Sequence, residues 1–180
     1  MFSNQGTAAA RAREYATETD FCRVFDEQMN RFFFLSLLLT GDEQEAELCL
    51  MQSLESCKQS RRVFREWAER WATHSIIRSA IQIVEPTRLR PLLPPEIPDE
   101  LTSDPESMLA TLRTFPALDR FIYVMSTLEK YSDRECASFL GCSPRGIPLA
   151  RARAFRQLGR VAESFRLEWT SEPLRLRKIS

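Results

Sequence analysis

Five arginines, Arg145, Arg151, Arg153, Arg156 and Arg160, fall within the stretch SPRGIPLARARAFRQLGR, and no acidic residue interrupts them before Glu163. Guanidinium groups at this density suit phosphate contacts, because each presents a planar fork of N–H donors to an oxyanion. With the Ser143 hydroxyl ahead of them they make a candidate DNA-backbone surface, better suited to holding a duplex than to choosing its sequence. The alternative for such a face is a solvated helix whose charges pair with acids elsewhere. A second basic set, Arg65, Arg70 and Arg78, lies in FREWAERWATHSIIR. Trp67 and Trp71 in that stretch could stack on unpaired bases if exposed. At helical spacing with Phe64 they read instead as core, which leaves the three arginines facing nucleic acid. His74, between Trp71 and Ile77, reads as a packed histidine.

Chemistry beyond binding has little support. The chain pairs no nucleophile with a base and has no phosphate-cradling glycine loop. It has one histidine, and its cysteines, Cys22, Cys49, Cys57, Cys136 and Cys142, contain no C-x-x-C. We therefore expect a non-enzyme with no catalytic residues, no metal or other cofactor and no small-molecule substrate. The cysteines read as buried free thiols in a reducing compartment. The longest apolar run, FFFLSLLL, is too short to cross a bilayer and no leader pattern opens the chain, so a soluble, cytoplasmic protein without membrane insertion is expected. Net charge is zero, so any attraction to nucleic acid must be local. Arginine supplies 22 of the 25 basic residues, a bias that favours bidentate anion contacts.

Helices must position these residues, because neither strand-like alternation nor a β-branched run occurs. The expected fold is all-α, with two small helical domains joined by a proline-rich linker. Phe21, Val24, Phe25, Met29, Phe32, Leu35 and Leu39 trace one apolar stripe, broken at Thr40-Gly41-Asp42. Asp42 and Glu45 fit a capping box for a second helix with Ala46, Cys49, Leu50, Leu54 and Cys57 inward. A third helix is expected from Val63 through Trp67, Trp71, Ile77 and Ile81 to Val84, stopped by Pro86. Seven of the ten prolines lie between Pro86 and Pro116. The domains then read as a flexible segment over 1–19, a helical domain over 20–84, a linker over 85–116 with a short helix near Pro105 to Arg113, a second helical domain over 117–165, and a tail over 166–180 that packs back. In the second domain ALDRFIYVMSTLEK makes a helix, Ser132 and Glu135 box the start of a short one ending at Leu140 and Gly141, and Ser143-Pro144 open the last. Helix, turn, helix in this order is a DNA-binding layout.

Three stretches resemble the small two-domain sigma factors of bacterial RNA polymerase, the extracytoplasmic-function group. LLLTGDEQEAEL is similar to the turn between the first helices of that family's region two. FREWAERWATHSIIR is similar to its next segment, with Phe64, Arg65, Trp67, Ala72 and Ile77 at family spacing. YSDRECASFLGCSPRGI with ARAFRQL resembles the helix-turn-helix of region four. The resemblance covers about residues 20 to 160 and implies a transcription initiation factor whose partners are core RNA polymerase, promoter DNA and an anti-sigma factor. It places polymerase or partner binding at Glu47, Leu48, Met51 and Gln52, and promoter contacts on the arginines of both domains. The chain departs from the family pattern where polar residues are usual: Leu48 and Met51 on the docking helix, Gly146, Pro148, Leu149 and Ala150 on the reading helix. Glycine and proline cost a helix interior about 1 and 3 kcal/mol, so the last helix should kink unless it starts as late as Gly146 or Ile147. A second function follows from these departures: a diverged sigma-like module that no longer reads promoters and regulates or competes with other sigma or anti-sigma factors.

Overall fold

The computed structural model describes residues 14–60, 62–87 and 110–171, with side chains described as far as residue 159. Every regular element among them is a helix, and the chain divides into two compact units, Met1–Arg88 and Leu89–Ser180.

In the first unit the long stripe from Phe21 to Leu39 forms two helices, α1 (Glu18–Glu27) and α2 (Met29–Thr40), rather than the one expected. The chain bends at Gln28, whose φ of −109° and ψ of 15° leave the helical well while the hydrogen bonds on either side continue. Phe25 and Phe32 meet edge-on across the bend, 5.0 Å between ring centres. Gly41, at φ 82°, ends α2 in the left-handed conformation that glycine adopts without strain. Asp42 then accepts the Glu45 N–H to start α3 (Glu43–Lys58). Helix α4 (Ala68–Val84) stops before Pro86 as expected, with Glu85 left-handed at its end.

Helices α3 and α4 meet through small side chains: Ala46, Cys49, Ser53 and Cys57 on one, Ala68, Ala72, Ser75 and Ala80 on the other, all buried. The approach is close enough for side chain to reach backbone. The Cys49 thiol lies 3.4 Å from the Ile76 carbonyl oxygen, and the Ser75 hydroxyl donates to the Ser53 carbonyl at 3.2 Å. Phe21, Phe32, Leu39, Ile76 and Ile77 fill the rest of this core, each contributing about 1.5–3 kcal/mol by burial.

Of the segment 1–19 expected to be flexible, residues 14–19 are described, and they are tied to the chain that follows. Thr17 and Asp20 form a complete capping box on α1, and the Ala16 N–H donates to the Val63 carbonyl at 2.7 Å.

In the second unit α5 (Ala117–Tyr123) widens into a π turn over Val124–Leu128, where the Glu129 N–H reaches the Val124 carbonyl. Ser132 and Glu135 form the expected box on α6 (Asp133–Leu140), and Gly141, at φ 61°, closes it. A single 3-10 turn, Pro144–Gly146, leads into α7 (Ile147–Ser171), which runs beyond the boundary at 165 drawn from sequence. Leu112, Phe121, Ile122, Met125, Ile147 and Ala154 make the core. The linker expected over 85–116 falls mostly outside the described residues, as do the side chains of the tail.

Candidate functional site

Four aromatic residues gather where the first unit's loop enters α4. Val63 is buried and anchors the loop, while Phe64 runs extended opposite Tyr15 in an isolated antiparallel bridge. The rings of Tyr15 and Phe64 stack at 5.1 Å, and Phe64 meets Trp67 edge-on at 5.8 Å. A 3-10 turn over Arg65–Trp67 lifts the indole out of the core, so that Phe64, Trp67 and Trp71 are 38%, 60% and 37% exposed. This corrects the core placement expected for them. The helix begins at Ala68, not Val63, and its buried face passes through Ala68, Ala72, Ile76 and Ala80. Those small residues permit the close approach of α3 and turn the indoles outward. Trp71 is fixed there by its Nε1–H, which donates to the Ser60 hydroxyl at 3.0 Å.

Basic residues surround this cluster. Arg65 closes on Asp20, Nη2 to Oδ2 at 3.0 Å, tying the loop to the start of α1. Thr17 donors first, then the Arg65 guanidinium, hold the Asp20 carboxyl below its usual range against the opposing effect of desolvation. Arg70 and Arg78 are exposed on α4, and His74 is half-buried. The aromatic surface and these arginines form the candidate nucleic-acid face of the unit.

On α3, Glu47, Leu48, Met51 and Gln52 all face solvent, Met51 with 64% of its surface exposed. They lie opposite the buried row Ala46, Cys49, Ser53 and Cys57, and Gln44 and Glu55 continue the same outward side. The result is an exposed apolar pair framed by acids and amides.

The second unit places its arginines unevenly. Because α7 starts at Ile147, Gly146 falls in the 3-10 turn and Pro148 in the first helical turn, where the missing N–H has little cost. Ser143 precedes the turn but makes no side-chain cap. Arg151 pairs with Asp133 at 2.8 Å. Arg153 grips Asp119 with two bonds, which raise the guanidinium pKa further. Among the described residues Arg156 reaches only the Ala152 carbonyl, at 3.4 Å, and Arg145 is exposed. The Arg160 side chain lies outside the described residues. Leu149 stands 66% exposed on the outward side of α7. The sequence pattern showed the arginines but not their partners, since Asp119 and Asp133 are remote in the chain.

Of the cysteines, Cys49, Cys57 and Cys136 are buried as expected, Cys142 is half-buried and Cys22 is exposed. Burial pushes the Cys57 and Cys136 thiols up to about 11. Among the described residues no cluster could hold a metal ion, and no helix is long and apolar enough to cross a membrane. Comparison of the chain with protein-family models, curated proteins and solved structures returned no match.

Proposed function

We propose that the chain is a sigma-like transcription initiation factor that binds core RNA polymerase and promoter DNA. In this account the outward face of α3, with Glu47, Leu48, Met51 and Gln52, docks on the polymerase. Phe64, Trp67 and Trp71, beside Arg70 and Arg78, receive bases from an opening duplex. The observation that carries the proposal is the exposure of these three aromatics at the mouth of α4, where burial would be the ordinary fate of such side chains. Stacking contributes about 1–3 kcal/mol per base, against a mean of roughly 1.4 kcal/mol for each opened step, so two or three captured bases offset the opening of a short segment. The helix, glycine turn and helix of the second unit supply the companion scaffold in this account. Reconstitution with core polymerase followed by run-off transcription from the host's promoters tests the proposal. Association with the core enzyme and promoter-dependent transcripts are expected, and no association at all would sink it.

A second function is favoured by the second unit alone. With Arg151 and Arg153 drawn into internal ion pairs and Leu149 outward, its last helix has more of a protein-binding surface than of a base-reading one. On this account the chain engages a sibling sigma factor's regulator, such as an anti-sigma factor, rather than an upstream promoter element.

A further inference from the structure

The outward side of α7 carries a surface that the packing of the second unit does not use. Leu149, Ala152 and Arg156 follow one another at steps of three and four on its exposed face, with Arg145 exposed in the turn ahead. Ile147, Ala150 and Ala154 of the same helix are buried, so the exposed row lies on the far side from the core. Arg151 and Arg153 have acidic partners, whereas Arg145 and Arg156 have none among the described residues. No acid occurs between Pro144 and Gly159. The ridge is therefore aliphatic in the middle and positive at both ends.

We propose that this ridge docks an acidic amphipathic helix of a partner protein, its aliphatic side chains against Leu149 and Ala152 and its carboxylates against Arg145 and Arg156. The inference rests on the second function above. Charge complementarity selects the occupant. A second copy of the same face would set arginine against arginine. Duplex DNA would satisfy the guanidiniums, yet Pro148 and Leu149 offer no donor or acceptor to the base edges they would meet. A partner helix satisfies both parts, and the small Ala152 lets the two axes approach to about 8–10 Å. Each exposed aliphatic contact then gains the desolvation that water denies it in the free chain.

The test uses the purified full-length chain without polymerase, so that failure of transcription and failure of docking are separate results. A displayed library of short amphipathic helices, with Glu and Lys varied beside the apolar stripe, is selected against the wild-type chain. Selected peptides are then titrated by fluorescence anisotropy. Glu-rich peptides should win, and Leu149→Glu should weaken them roughly tenfold or more. The double variant Arg145→Glu, Arg156→Glu should turn the preference to Lys-rich peptides. All three positions are exposed, so unchanged melting temperatures are expected and verify that the variants fold. Winners without acidic bias, or acidic winners bound equally by Leu149→Glu, would overturn the proposal. So would a short DNA duplex that displaces the peptide and itself loses binding in Leu149→Glu, since the ridge would then be a DNA surface.

Discussion

Arg153 holds Asp119 with two parallel bonds, Nε to Oδ2 at 2.8 Å and Nη2 to Oδ1 at 2.6 Å, joining α7 to the start of α5. The two ends are unequal, for Asp119 is 3% exposed while the arginine side chain is half in water. Arg153→Ala strands a buried carboxylate and should cost about 2–3 kcal/mol by denaturant titration. Asp119→Ala should cost less, because Arg153 can turn to solvent. Once Asp119 is alanine, adding Arg153→Ala should be nearly neutral; a cost as large as in the wild type would show that the pair is not what Arg153 stabilises.

The outward aromatics separate function from stability. Trp67→Ala should shift stability by no more than about 0.5 kcal/mol, the range for exposed positions. Phe32→Ala, at a fully buried site, should cost about 3–5 kcal/mol. Thermal melts of the two variants check the contrast, and a loss for Trp67→Ala close to that for Phe32→Ala would place the indole in the core after all.

Asp20 makes the first unit sensitive to acid. Its carboxyl is held below the ordinary carboxylate value by the Thr17 cap first and by Arg65 second. A group whose folded pKa is depressed contributes its stability above the unfolded value and loses it as pH falls through the folded one. Stability measured by denaturant titration should therefore fall as pH drops from about 4 toward the lower folded value. Asp20→Asn should remove that part of the slope while lowering stability at neutral pH.

Two glycines of the second unit should respond in opposite directions. A Cβ at Gly159 would meet nothing within 4 Å, so Gly159→Ala should stabilise α7 by roughly 0.5–1 kcal/mol. Gly141 also has open space but sits at φ +61°, and Gly141→Ala should destabilise by about 1 kcal/mol. Melting temperatures that move together would contradict the backbone argument.

Much of the helical layout was legible because it depends on local signals. The Ser132 and Glu135 box, the Gly41 and Gly141 stops and the end of α4 before Pro86 each involve residues within one or two turns. The Thr17 and Asp20 box is equally local, but it begins within the 1–19 segment that reads as flexible, ahead of the apolar stripe that begins at Phe21. The bend at Gln28 leaves no sequence signal, since neither proline nor glycine marks it. The candidate surfaces were harder for a different reason. Helical spacing with Phe64 points Trp67 and Trp71 inward, while the actual seam with α3 runs through alanine, serine and cysteine, whose smallness permits the approach of the two helices. Likewise, the charge run around Arg153 could be seen, whereas its neutralisation by Asp119 depends on tertiary contact.

The most direct test of the central proposal is permanganate reactivity of unpaired thymines at a host promoter, with core polymerase and either the wild-type chain or the Phe64→Ala, Trp67→Ala, Trp71→Ala variant. The account predicts reactive thymines with the wild type and their loss with the folded, polymerase-bound variant. Equal reactivity with both proteins would contradict it.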